Sequence, residues 1–342
     1  MKAAYFSTHG GPEVLEVGEI PDPAVAPGEV VVAVRAFALN HLDLWTRRGI
    51  PGLRLEMPHV GGSDVAGVVE TVGEAVSEWA AGARVVVNPG LWCGRCEWCA
   101  RGEQSLCRSY RLLGEHVAGG AAEKVAVPAR NLFPLPEAYP FERAAAAPLA
   151  FQTAWRALVT RARLRPGETV LITGGSGGVS TAAVQIARFA GATVFAVTSG
   201  SENARRLREL GAERVFDRRE EDFSRGVREA TGKRGVDVVL DSVGEAMWEG
   251  CVRALARGGR LVNYGATTGH QAKVDLRHLF WKQHEILGST MAGRGEFEAA
   301  MRLVLAGRLR PVVEEVLSIE SIREAHRRLE AGEVFGKLVL IP

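Results

Sequence analysis

"TVLITGGSGGVSTAAVQIARFAGA", residues 169–192, sets Gly174, Gly175, Gly177 and Gly178 between a β-branched apolar run and an amphipathic one. A chain that turns tightly and brings its N–H groups against a pyrophosphate at a helix N-terminus needs residues without a Cβ there. Ser176 and Val179 lie in the same turn, and Ser180 stands where the usual fingerprint has a third glycine, still small enough for the helix to pack near the strand. A glycine turn alone is also compatible with a purely structural bend. Its context favours dinucleotide binding: strand "TVFAVTS", helix "ENARRLRELGA", strand "RVFD", helix "FSRGVREATG", strand "VDVVLDSVG", helix "AMWEGCVRALARGG" and strand "RLVNYGA" follow in turn. Strands alternating with helices in this way predict an α/β domain with a parallel, doubly wound sheet.

Upstream the rhythm differs. Residues 1 to about 148 read as short strands, among them "GEVVVAVRAFALN", "GSDVAGVVETVG", "ARVVVNP" and "AAEKVAVPARNLFPLP", separated by Gly and Pro. That pattern predicts an irregular antiparallel barrel. The last fifty residues hold two helical stretches, "GEFEAAMRLVLAGR" and "SIESIREAHRRLEAG", before a closing strand "GKLVLIP".

The 342 residues are 46% hydrophobic and 24% charged, enough for two cores, and the net charge of +2 is interspersed. No field large enough to attract nucleic acid or an anionic membrane is present. The N-terminus lacks a signal-peptide core, and no apolar run approaches the roughly 20 residues that span a bilayer. A cytoplasmic protein is expected. In a reducing compartment, Cys93, Cys96, Cys99 and Cys107, spaced C-x2-C-x2-C-x7-C, read as a metal site; unmetallated thiols or a redox disulfide pair are the other readings. Cys251 reads as a small buried apolar residue.

The end of the second strand of the doubly wound region decides the cofactor. NAD sites place an acid there for the ribose diol, and NADP sites place small or basic residues. In "AVTSGSENARRL" the strand ends at Thr198 and Ser199 without a carboxylate, and Glu202 reads as a first-turn helix residue. Arg205, Arg206 and Arg218 offer positive charge for a 2′-phosphate, although each also suits a solvated helix face. NADP is expected over NAD.

Together "GPEVLEV", "GSDVAGVVETVG", the Cys-rich lobe, "APLAFQTAWRAL", "GGSGGVSTAAVQIAR", "GVDVVLDSVG" and "FGKLVLIP" resemble the medium-chain dehydrogenase/reductase family over essentially the whole length. That family comprises zinc alcohol dehydrogenases and zinc-free quinone oxidoreductases. The resemblance implies a GroES-like catalytic domain (1–148 and 293–342, with the Cys-rich lobe at 88–110), a Rossmann domain (149–292) and hydride transfer between them. The family's catalytic-zinc positions fall on Asn40, Ser63 and Leu149, a set that Zn²⁺ does not favour. His41, Asp43, His59 and Asp64 lie near enough in sequence for a substitute site to be considered. The four clustered cysteines resemble the structural-zinc lobe, whose closed S₄ sphere leaves no vacancy for substrate.

The resemblance therefore favours an NADP(H)-dependent oxidoreductase delivering hydride to a quinone or an α,β-unsaturated carbonyl without catalytic zinc. The alternatives are an alcohol dehydrogenase with an atypical site and a non-catalytic NADPH-binding sensor or structural protein. Asn40 is expected against the nicotinamide ribose or a substrate oxygen, and His41 or Asp43 as an acid. Trp45 stands where many zinc-free relatives have Tyr. The relatives' 2′-phosphate Lys and Tyr fall on Asn203 and Arg218. Thr153, Ser199, Ser242, Tyr264, Gly265 and Lys337 complete the expected cofactor contacts. By analogy, residues 282–292 form the edge strand of a homodimer or homotetramer.

Overall fold

The computed structural model describes residues 1–342, which part into two compact units: Met1–Leu149 with Ala292–Pro342, and Ala150–Met291. The second unit is built on six strands in the order Arg214–Asp217, Thr193–Thr198, Thr169–Ile172, Val236–Asp241, Leu255–Asn263 and Glu285–Gly288. Every neighbouring pair is parallel. Val170, Leu171, Ile172, Val238, Val239 and Leu240 are all fully buried, as expected where helices cover both faces of a parallel sheet. Strand order reverses between Thr169–Ile172 and Val236–Asp241, and such a switch point leaves a crevice at the strands' carboxyl ends. Helix Gly178–Phe189 starts there, burying Ala182, Ala183, Ile186 and Ala187 on one face.

Two sequence expectations need adjustment here. The helix Glu245–Ala254 stops short of "LARGG", which belongs to the strand Leu255–Asn263; a register shift between Val236 and Val238 admits the two glycines. Helices Pro148–Trp155 and Leu276–Lys282 were not anticipated. The first is too uniformly apolar to show a periodic face. The second exposes Leu276, Phe280 and Trp281 and so has no buried stripe to betray it.

The first unit holds a three-stranded sheet and a seven-stranded one, bridged at Ala3 and Ala122. Its longest strand, Glu29–Ala38, pairs antiparallel with Asp64–Val72, with Lys124–Pro128 and with the C-terminal strand Lys337–Ile341. The chain's last residues are thus built into the sheet beside residues 37–38. The predicted all-antiparallel pattern fails at one place. A strand Val313–Ser318 lies between the two C-terminal helices and pairs parallel with Lys337–Ile341. Its sequence, VEEVLS, is exposed or half-exposed throughout, so no alternation marks it. The core gathers Val30, Val32, Phe37, Val65, Val85, Leu338 and Leu340 with Ile322, Ala325 and Leu329 of helix Ile322–Glu330.

Candidate active site

Strand Glu29–Ala38 ends one residue before the turn that places Asn40 at the N-cap of helix His41–Arg48. Asp43 closes that turn. Its Oδ2 accepts the Asn40 backbone N–H at 2.7 Å, and its Oδ1 accepts the Gly62 N–H at 2.9 Å. Burial pushes the Asp43 carboxyl up to about 6, against the pull of those two backbone donors. Both oxygens are therefore engaged in holding the loop, which is a positioning geometry. His41 is half-buried, and burial, then the charges of Lys337 and Arg48, push its pKa down, which favours the neutral imidazole.

Asn40 meets two residues far along the chain. Lys337, the first residue of the C-terminal strand, donates from Nζ to Asn40 Oδ1 at 2.5 Å and to Asp64 Oδ2 at 2.8 Å. Asn40 Nδ2 donates to the same Asp64 Oδ2 at 3.0 Å, and the Leu149 backbone N–H donates to Asp64 Oδ1 at 2.7 Å. Asp64 is fully buried and Lys337 only 3% exposed. Two of the family's three metal-ligand positions are thus bound into an ion-pair network, Leu149 through its backbone alone. The third, Ser63, donates its hydroxyl to Leu113 O at 2.7 Å. Asp43, Asp64 and His59, whose Nε2 donates to Gly114 O at 3.1 Å, are committed likewise. These residues do not fit a catalytic Zn²⁺, which wants thiolate and imidazole lone pairs turned inward.

The cysteines do fit a metal. The four Sγ atoms of Cys93, Cys96, Cys99 and Cys107 all lie within 4.8 Å of one another, with Cys96 to Cys99 at 3.5 Å and Cys93 to Cys99 at 3.9 Å. A tetrahedron of sulfurs about 2.3 Å from zinc has edges of roughly 3.8 Å. Backbone N–H groups of Arg95 and Cys96 pull the Cys93 thiol down to about 6, whereas burial pushes Cys99 up to about 12. A bound cation would supply the charge that lets all four ionise together. Trp92 and Tyr110 pack over the cluster.

In the second unit, the Gly175 backbone passes so close to the next strand that a Cβ would lie 2.7 Å from Leu207 Cδ1 and 3.1 Å from Val197 O. Gly174 has φ +58°, and Gly177 caps helix Gly178–Phe189, so the loop carries Ser176 and presents the N–H groups of Gly178 and Val179 at the helix start. Ser180 Oγ donates to Thr173 O at 3.0 Å and lies 3.3 Å from the Tyr264 hydroxyl. Fully buried Asp241 accepts from Thr173 Oγ1 at 2.6 Å, from the backbone of Val243 and Gly244, and from Asn263. That network braces the carboxyl ends of the two central strands. Ser242 lies against both the loop and Gly265: a Cβ on Gly174 would be 3.2 Å from Ser242 Oγ, and one on Gly265 would be 2.9 Å from Ser242 O. Thr153 Oγ1 donates to Met291 Sδ at 3.8 Å.

At the end of strand Thr193–Thr198, Arg218 Nε donates to Ser199 Oγ at 2.7 Å and Asn203 Nδ2 donates to Ser199 O at 3.0 Å. Arg205 is not part of this cluster. Its Nε and Nη2 donate to the Glu202 carboxylate at 3.0 and 2.6 Å, and its Nη1 to Glu209, on the exposed helix face. Sequence reading missed Arg219, whose guanidinium lies beside Gly200, and Asp217, which accepts the Gly200 and Arg219 N–H groups at 2.6 and 3.0 Å. It also missed Glu115, a half-buried carboxyl raised by burial, and further by Asp43, to about 7. Nothing in "LLGEHVAGG" marks that residue, because the loop's approach to Gly62 is made by its glycines: a Cβ on Gly114 would lie 2.7 Å from Gly62 C.

Comparison with known proteins accords with both halves of this description. The family model described as alcohol dehydrogenase GroES-like domain matches residues 26–137, and that described as zinc-binding dehydrogenase matches residues 178–306. The chain is 34% identical to acryloyl-coenzyme A reductase of Metallosphaera sedula over 99% of each protein. A crystal structure of an NAD-dependent alcohol dehydrogenase superposes with a TM-score of 0.96 at 45% identity, covering all of both chains. A crotonyl-CoA carboxylase/reductase in complex with NADP superposes at 0.93 with 27% identity, covering all of this chain and 94% of that one. No helix here is long and apolar enough to cross a membrane. The chain belongs to the medium-chain dehydrogenase/reductase family, with a GroES-like domain and a parallel Rossmann-type sheet, and it is an oxidoreductase.

Proposed function

We propose that this oxidoreductase transfers hydride from NADPH to the β-carbon of an α,β-unsaturated carbonyl, or to a quinone, without a catalytic metal. The observation that carries the reading is the buried Asn40–Asp64–Lys337 network standing where a zinc alcohol dehydrogenase would hold its metal. A bound Lewis acid is the zinc alcohol dehydrogenases' means of acidifying an alcohol, whereas an activated alkene is already electrophilic. The substrate named for the acryloyl-coenzyme A reductase supports the same class. The glycine loop 174–178 would hold the pyrophosphate, with Thr153, Val179, Ser242, Tyr264 and Gly265 around the cofactor. Arg218, fixed on Ser199 beside Asn203, would meet a 2′-phosphate. His41 is the candidate proton-handling side chain; Asp43 shapes the loop that presents it, and solvent suffices for a quinone. The four cysteines would hold one zinc, which supplies cross-linking and no catalysis.

The test is turnover of 2-cyclohexenone and of a simple benzoquinone with NADPH or NADH, together with zinc content per chain. NADPH-dependent reduction with one zinc supports the reading; alcohol oxidation with two zincs overturns it. The NAD-dependent alcohol dehydrogenase relative supports that second outcome. Arg218→Ala is expected to raise KM for NADPH by about tenfold, corresponding to one charged hydrogen bond, and to leave NADH unchanged. An equal effect on both cofactors would remove Arg218 from the phosphate site.

The cytoplasmic placement rests on the sequence alone. Self-association of the edge strand Glu285–Gly288 is proposed on the exposure of Phe280 and Trp281 beside it. Light scattering should give the mass of two or four chains; one chain would refute it.

A further inference from the structure

Resting on the carbonyl-reduction reading, we propose that Lys337 is a positioning residue: it locks the Asn40 amide as a donor-only group, which makes the site select a carbonyl oxygen over a hydroxyl. A free asparagine side chain offers acceptor and donors at its two ends and can turn over to suit either kind of partner. Here it cannot turn. An ammonium only donates, so the amide atom facing Lys337 Nζ must be Oδ1. A carboxylate only accepts, so the amide atom facing Asp64 Oδ2 must be Nδ2. Reversing the amide would set donor against donor and lone pair against lone pair in a buried site.

The count of what remains gives the chemistry. Asn40 Oδ1 is turned onto the ammonium, and one Nδ2 hydrogen goes to Asp64. The other Nδ2 hydrogen is left, as is the third hydrogen of the Lys337 ammonium, and Asn40 is the more exposed of the two, at 8% against 3%. Asp64 accepts at Oδ2 from Lys337 and Asn40 and at Oδ1 from the Leu149 N–H, and it is fully buried, so no carboxylate oxygen is offered outward. The group therefore presents N–H. A carbonyl oxygen accepts it; an alcohol keeps its own O–H without an acceptor and loses that hydrogen bond on entering.

The same N–H would strengthen as the reaction proceeds. Hydride leaves the nicotinamide C–H bond for the β-carbon, the alkene π pair moves to the α-carbon–carbonyl bond, and the carbonyl π pair moves onto oxygen. NADP⁺ and an enolate result, and a proton then adds at the α-carbon. The oxygen gains negative charge in that step, where a fixed donor counts most. The adjacent ammonium polarises the amide toward greater N–H acidity without itself having to reach the substrate.

The experiment reads the hydrogen bond without turnover. Cyclohexanone labelled with ¹³C at the carbonyl is added to the enzyme saturated with NADP⁺, and its carbonyl resonance is followed together with Kd for NADP⁺. A downfield shift is expected in the wild type and in Lys337→Arg. It should disappear in Asn40→Ala and shrink in the charge-free pair Asp64→Asn with Lys337→Met, which frees the amide to turn and strands no buried charge should the single variant fail to fold. Kd for NADP⁺ should change less than about threefold. With 2-cyclohexenone and NADPH, Asn40→Ala should lose on the order of 10²-fold in kcat, the usual cost of one such donor. No shift in the wild type, or an undiminished shift in Asn40→Ala, overturns the proposal. A rise in Kd for NADP⁺ beyond tenfold in the Lys337 variants, with the shift intact, would instead make Lys337 a cofactor ligand. Absence of enone turnover alongside an intact wild-type shift would fail the reductase reading while leaving the donor-only amide standing.

Discussion

Asp64→Ala is expected to be among the most destabilising single substitutions in the chain, on the order of 3–5 kcal/mol in chemical denaturation. The loss is not the worth of one ion pair. Removing the carboxylate leaves the Lys337 ammonium buried without its counter-charge, the Leu149 N–H without its acceptor and one Asn40 N–H unpaired. Because Lys337 opens the C-terminal strand, the strain falls on the pairing of that strand with Glu29–Ala38. The double variant Asp64→Asn with Lys337→Met should be markedly more stable than Asp64→Ala, since no charge is then stranded. Midpoints within 1 kcal/mol of wild type for Asp64→Ala would show that the pair is solvated rather than buried.

Cys99→Ser is expected to have an effect at least as large in a different part of the first unit. Bound zinc should fall from about one per chain to nearly none, and the lobe around residues 88–110 should lose its order. Stability should drop by more than about 4 kcal/mol, because metal binding and lobe folding are a single event. The residue is buried, and burial pushes its thiol up to about 12, so a cation beside it would favour the thiolate. Catalytic turnover by the fraction that remains folded should be retained. Metal analysis after dialysis against a chelator, with a thermal melt, reads both effects. Unchanged zinc content in the serine variant would place the ion elsewhere.

The two predictions show which parts of the site could be read in advance. The glycine turn and the cysteine spacing are local: the residues that act together lie within a few positions, so periodicity and spacing suffice to find them. The same holds for Ser199 at the end of a strand, whereas Asn203 came from the family resemblance. Arg205 could not be distinguished from Arg218 in this way. Both are arginines that follow a strand of the parallel sheet, but Glu202 and Glu209 lie one helical turn from Arg205 on either side and neutralise it. Arg218 follows a different strand, and the parallel pairing of Thr198 with Asp217 brings it to Ser199. Asp43 was legible as an acid; that both of its oxygens are occupied by backbone N–H groups depended on where Gly62 falls.

The sequence by itself determined the doubly wound α/β sheet, the β-rich first unit, the cysteine cluster and the absence of the usual metal ligands at positions 40, 63 and 149. The first three follow from residue type at a known spacing, and the last from the family resemblance. Only the tertiary structure decided what Asn40 meets. Asn40, Asp64 and Lys337 are separated by 24 and 273 residues, and no local pattern links them. They meet because the C-terminal strand pairs beside the end of Glu29–Ala38, and the buried sheet interior leaves an ammonium there no partner except the carboxylate and amide opposite it.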